Sequence, residues 1–106
     1  MKNKFGLLET DLQEIVQTLS LFSTIEKAVI FGSRAKGNYQ NGSDVDIAIF
    51  GENLNPETDF QVSFHLNEET NMPYKFDILI FNKIQEPTLT DHISRVGIQI
   101  YASHNH

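Results

Sequence analysis

An α+β (α/β layered) fold, a small mixed sheet covered by helices, is what the sequence predicts, and three observations predict it. Apolar residues recur at helical spacing near the start, the middle and the end of the chain. Between those segments lie three short apolar runs, Lys27–Phe31, Val45–Phe50 and Lys75–Phe81, of a length that suits buried strands. No internal repeat, low-complexity run or linker divides the 106 residues, so residues 1–106 are expected to form a single layered domain.

The first helix is expected over Asp11–Phe22. There Leu12, Ile15, Val16, Leu19 and Phe22 share one face, and Thr10 with Gln13 has the form of a capping box. The apolar run Lys27–Phe31 stops at Gly32 and reads as a buried strand, with a short helical turn after it. Val45–Phe50 reads as the second strand. Asn55-Pro56 is a helix start, an N-cap followed by proline at the first helical position. That helix should run to about Glu69, with Phe60–Phe64 and Val62–Leu66 as i,i+4 pairs and most of the eight phenylalanines in the core. Met72-Pro73 breaks the chain before the third strand, Lys75–Phe81. Thr90 can cap a last helix whose Leu89, Ile93, Val96 and Ile100 form an apolar stripe. The expected order is α-β-β-α-β-α, with the helices on one face of the sheet.

Fourteen acidic residues against eight basic ones give a net charge of −6. A long polynucleotide is therefore repelled, because phosphate neutralisation by a basic face supplies most of that kind of affinity. An anionic ligand remains acceptable if it brings its own cations. Cysteine is absent, which excludes disulfides, thiolate metal sites and a cysteine nucleophile. No stretch approaches the ~20 apolar residues that cross a bilayer, and Glu9 interrupts the N-terminus before a signal-peptide apolar region develops. A cytoplasmic protein without membrane contact is expected.

The chemistry is concentrated in Phe31–Asp46. Strand, glycine and then Ser33 at a helical turn point backbone N–H groups at an anion, typically phosphate. Gly32 allows close approach, the Ser33 hydroxyl can donate, and Arg34 or Lys36 can add charge. An ordinary strand-to-helix turn with a capping serine has the same local sequence. A P-loop is excluded, since Asn38 and Tyr39 stand where Lys and Ser/Thr are required. Asp44 and Asp46 alternate onto one strand face, ~6.6 Å apart. Such a pair of hard oxygen donors repels itself unless solvated or bridged by Mg²⁺ or Mn²⁺. An EF-hand is excluded by Ala48 and Ile49. Asp77 interrupts an apolar strand on the face of Leu79 and Phe81, and joins the other two if its strand lies beside theirs in antiparallel or mixed register. Three carboxylates around two cations suit in-line phosphoryl or nucleotidyl displacement. Tyr39 and Tyr74 flank this region, where stacking on a base competes with plain packing. His65 and His92 have no spaced ligand partner, and His104-Asn105-His106 reads as a frayed tail.

Taken together, Gly32-Ser33, ten residues, Asp44-x-Asp46 and a later strand aspartate resemble the signature of the DNA polymerase β-like nucleotidyltransferase superfamily. Phe31–Gly37 and Ser43–Ala48 are similar to its minimal nucleotidyltransferase subfamily, as is the closing Gly97-Ile98-Gln99-Ile100-Tyr101. One departure is Val96, where relatives often carry an acid. The resemblance covers nearly the whole chain. It implies that Gly32 and Ser33, with Arg34 as a further phosphate contact, bind the triphosphate. It makes Asp44, Asp46 and Asp77 the catalytic carboxylates and the ligands of two Mg²⁺ ions, or Mn²⁺, with ATP as donor. It also implies a HEPN-domain protein as partner: the chain would be the antitoxin of a HEPN/MNT pair, transferring AMP to its toxin. Two other readings stay open, a non-catalytic antitoxin that works by occlusion and a transferase for a small molecule of the aminoglycoside kind. Homo- and hetero-oligomers both remain open.

Overall fold

The computed structural model describes residues 2–103. His104–His106, expected as a tail, lies outside the described residues. Along the chain run α1 (Glu9–Ser20), β1 (Lys27–Phe31), α2 (Gly32–Lys36), β2 (Val45–Phe50), α3 (Thr58–Glu68), β3 (Phe76–Ile80), a 3₁₀ turn (Phe81–Lys83), α4 (Pro87–Val96) and β4 (Ile98–Ala102). The sheet order is β3-β2-β1-β4. β1 is antiparallel to both β2 and β4, whereas β2 is parallel to β3, so the sheet is mixed as expected.

Alternation sorts the central strands onto two faces. Val45, Ile47 and Ile49 of β2 join Ile30, Ile78, Ile15, Leu19, Val62 and Leu66 in the larger core, under α1 and α3. Ala48, Val29 and Phe31 form a smaller cluster with Ile93 of α4. The helices thus cover both faces rather than one. β1 and β2 are apolar on both sides, and each side needs a cover.

Three boundaries differ from the sequence expectation. α1 begins at Glu9 with no side-chain cap; Glu9 and Asp11 in its first turn complement the helix dipole instead. Asn55 is not an N-cap, because its Oδ1 accepts the Glu57 N–H at 2.9 Å in a turn that delays α3 to Thr58. Thr90 is not a cap either. Pro87 occupies the start of α4, and the Thr90 hydroxyl donates back to the Pro87 carbonyl at 3.1 Å.

The largest correction is at the end of the chain. Ile100 was expected on the stripe of the last helix, yet that helix stops at Val96 and Ile98–Ala102 pairs with β1, with Ile98 opposite Ile30 and Tyr101 opposite Ala28. Val96 and Ile100 satisfy helical spacing, while Ile98 and Ile100 satisfy strand alternation equally well. Gly97, in extended conformation (ψ 136°), breaks the helix, and the otherwise open edge of β1 takes the segment up. The phenylalanine expectation also fails on α3: Val62 and Leu66 are buried, but Phe60 and Phe64 are 73% and 46% exposed. Among the described residues no helix is long and apolar enough to cross a membrane.

Ile47 is fully buried at the middle of β2. Ile47→Ala should lower the unfolding free energy by about 2–4 kcal/mol, read as a shifted midpoint at constant slope in urea titration.

Candidate functional site

Parallel pairing of β2 with β3 sets Asp46 directly beside Asp77, on strands ~4.8 Å apart. Asp44 sits just before β2, two residues from Asp46, and so on the same face. That face is the one shared with Ala48 and Leu79, the α4 side of the sheet. The adjacency of Asp46 and Asp77 therefore comes from a parallel register, where an antiparallel or mixed one was expected, and both Asp44 and Asp77 lie near enough to act on the Asp46 charge. Asp77 itself is exposed at the start of its strand rather than enclosed, as is Asp44, while Asp46 is half-buried.

Burial pushes the Asp46 carboxyl up to about 6, the negative charges of Asp77 and Asp44 push the same way, and the Arg34 guanidinium opposes them. Gly32, where β1 ends, faces this carboxylate. Its φ is +72°, and a Cβ there would run into the Asp46 carboxylate. Glycine at 32 thus serves both the backbone conformation and the space for Asp46. Ser33 follows, half-buried in the first turn of α2, where backbone N–H groups lack intrahelical acceptors. Gly32, Ser33, Asp44, Asp46 and Asp77 are all brought to one end of the sheet.

Arg34 has a different place from the one expected of a phosphate contact. It is only 4% exposed, and its guanidinium donates to three backbone carbonyls. Nε and Nη2 reach the Ser43 carbonyl at 3.2 and 2.8 Å. Nη1 reaches those of Phe5 and Gly6 at 2.8 and 3.4 Å. The rings of Tyr39 and Tyr74 lie on it, each centroid 5.3 Å from Cζ, in a cation–π arrangement. Tyr39 and Tyr74 are thus occupied by Arg34 rather than offered to a base, and the Tyr74 hydroxyl donates to Asp11 at 2.7 Å. The guanidinium ties the segment Asn3–Leu7 to the residue that precedes Asp44.

That N-terminal segment escaped sequence reasoning. Asn3 Oδ1 accepts the N–H groups of Phe5 and Leu7 at 2.9 and 3.2 Å, and Phe5 and Leu7 are buried. A turn this short has no periodicity; Asn3 and Gly6 were its only local signals. His92, read from the sequence as having no ligand partner, packs near the site. Its ring stands edge-on to Phe31, 6.3 Å between centroids, and Phe31 pairs with Asp46. His65 faces Glu69 at 2.9 Å on the surface of α3.

Among the described residues, no group of three or more His, Asp or Glu side chains closes into a ready-made metal cage. The chemistry of the donor set nonetheless fits hard divalent cations: all the donors are carboxylate oxygens, and their mutual repulsion at Asp46 is what a cation relieves. A concavity of about 300 Å³ lies between Arg34, Tyr39, Gly42 and Tyr74. A larger concavity, about 680 Å³, is at the opposite end of the sheet, around Lys27, Phe50 and Ala102, and so is separate from the carboxylates.

Residues 13–106 match the family model described as Polymerase beta, Nucleotidyltransferase, and the chain belongs to this family. No curated protein matches it. Among solved structures, it is similar to a toxin–antitoxin crystallised with AMP-PNP (TM-score 0.70, 17% identity, 92% of this chain and 76% of the other). It is also similar to the MntA–HepT toxin–antitoxin (0.68, 15%, 91% and 74%). A candidate nucleotidyltransferase from Sulfolobus solfataricus matches at TM-score 0.55 with 21% identity, over 91% of this chain and 81% of that one. At these identities the likeness establishes the nucleotidyltransferase fold.

Two outcomes are expected. Arg34→Ala strips partners from three carbonyls and should cost at least about 2 kcal/mol in chemical denaturation. Arg34→Lys, a point charge without the fork, should recover only part of it. Asp46, with its pKa raised in the folded state, favours the fold below the unfolded value of 3.8 and loses that contribution as pH rises through about 6. In metal-free buffer Asp46→Asn should therefore melt above wild type at pH 8, and the gap should close below pH 4.

Proposed function

With that family membership as premise, we propose that residues 1–106 act as a single minimal nucleotidyltransferase domain, transferring AMP from ATP to a partner protein. The carrying observation is the Asp46–Asp77 pairing, with Asp44 on the same face and Gly32 cleared for the Asp46 carboxylate. A fold needs no such concentration of like charge, whereas displacement at a phosphate does. In this reading Gly32 and Ser33 receive the triphosphate at the start of α2, and Asp44 and Asp46 hold Mg²⁺, or Mn²⁺ in its place. Asp77 completes the set and takes the proton from the acceptor hydroxyl. Two bound ions would neutralise the triphosphate and stabilise the departing pyrophosphate. The acceptor oxygen forms its bond to the α-phosphorus as the bond to pyrophosphate breaks. Arg34 has no place in this binding set and acts by bracing the chain before Asp44.

The acceptor is proposed to be a HEPN-domain protein, and the chain its antitoxin in the cytoplasm. Support comes from the net charge of −6, which suits a metal–nucleotide ligand better than a nucleic acid strand. Support comes also from the fold shared with MntA–HepT and with the toxin–antitoxin that was crystallised with AMP-PNP. A non-catalytic antitoxin acting by occlusion is the second reading, favoured by the absence of a ready-made cage among the described residues.

Intact-mass spectrometry of the co-expressed HEPN-domain protein, with Mg²⁺ and ATP, separates the two. AMP adducts with wild type and none with Asp44→Asn/Asp46→Asn support transfer. An unmodified partner that binds both forms equally supports occlusion.

A further inference from the structure

The outward surface of α3 does not fit an unpartnered chain. Val62 and Leu66 turn inward to the larger core, yet Phe60 and Phe64, one helical turn apart, point to solvent at 73% and 46% exposure. At i,i+4 spacing the two rings adjoin. Glu57 and Glu68, both exposed, fall on the same side of the helix at either end of the pair. A single exposed apolar residue is ordinary, but adjoining aromatic rings with a charged border have the make-up of an interface centre and rim.

The helices of this layer carry charge of one sign, although Lys83 Nζ donates to the Pro56 carbonyl at 3.2 Å where α3 begins. α1, which packs beside α3 over the same sheet face, contributes Glu9, Asp11 and Glu14, and residues 57–69 contribute four more acids; neither stretch contains a lysine or arginine. Half of the fourteen acidic residues therefore belong to this helical layer. On the other side of the sheet α4 balances its charge, with Arg95 donating to Asp91 at 2.8 Å. Complementarity then decides the occupant. An anionic lipid surface or a polynucleotide is repelled. So is a second copy of this chain, which would set acidic layer against acidic layer. What fits is a protein surface with an apolar pocket for two phenyl rings and lysine or arginine around it.

We propose that the outer face of α3, centred on Phe60 and Phe64 and rimmed by Glu57 and Glu68, is the docking face for a basic protein partner. The face lies on the opposite side of the sheet from the three carboxylates, so docking and transfer use separate surfaces. The proposal rests on the preceding reading only for the choice of probe, a HEPN-domain protein.

Binding of that protein is measured by calorimetry at low and high salt. Phe60→Ser/Phe64→Ser should weaken it by at least about 10-fold with the melting temperature unchanged. Glu57→Lys/Glu68→Lys should weaken it too and flatten its salt dependence, and Asp44→Asn/Asp46→Asn should bind like wild type. Equal affinity of the Phe variant and wild type overturns the docking face. If wild type does not bind the HEPN-domain protein, that partner reading fails, and an amphipathic Lys/Leu helical peptide becomes the probe. Salt-sensitive peptide binding that Phe60→Ser/Phe64→Ser abolishes upholds the face, and its absence overturns it. Self-association, or binding to anionic vesicles, that the same variant abolishes also overturns the basic-partner assignment.

Discussion

Three carboxylates held on one face of a small sheet repel one another, and the rest of the structure is arranged to hold them there. Asp46 bears the cost most directly, with its pKa raised to about 6 by burial and by its two neighbours. The strand that carries it cannot yield, because Val45, Ile47 and Ile49 on its reverse face are fully buried. Side chains at period two make this possible: one strand can be wholly apolar on one side and present acids on the other. The apolar side anchors the acidic side.

Two further devices meet at the same point. Gly32 leaves open the volume that the Asp46 carboxylate fills, and Arg34, two residues on, grips the Ser43 carbonyl just before Asp44. The guanidinium is itself held between Tyr39 and Tyr74 and moored to Phe5 and Gly6. Those two mooring residues precede the stretch matched by the family model, which starts at residue 13. The same cation lowers the pKa of Asp46 that the other carboxylates raise.

The sheet separates the molecule's surfaces. Carboxylates and α4 lie on one side, α1 and α3 with their unbalanced acids on the other. A domain of this size has little room for an acceptor pocket of its own, and the larger concavity lies away from the acids. Transfer to a separate protein, held by a surface remote from the reacting end, is compatible with that layout. On the proposed reading it keeps the charge that receives the nucleotide distinct from the charge that selects a partner.

Residue pattern alone located the first three strands and the three earlier helices to within a few residues, and singled out Gly32, Ser33, Asp44, Asp46 and Asp77 as candidates. These are legible because burial periodicity and glycine chemistry are local properties of the chain. Tertiary structure decided what depends on neighbours. Ile100 fits a helical stripe and an alternating strand alike, and only the open edge of β1 resolves it as strand. Phe60 and Phe64 look like core at i,i+4 spacing, and only the placement of α3 turns them outward. Arg34 carries the same charge whether it faces a phosphate or three carbonyls, and the chain from Phe5 to Gly6, far away in sequence, settles which. Asp77 reaches Asp46 through a parallel register that no local pattern specifies, because register belongs to pairs of strands and not to either one.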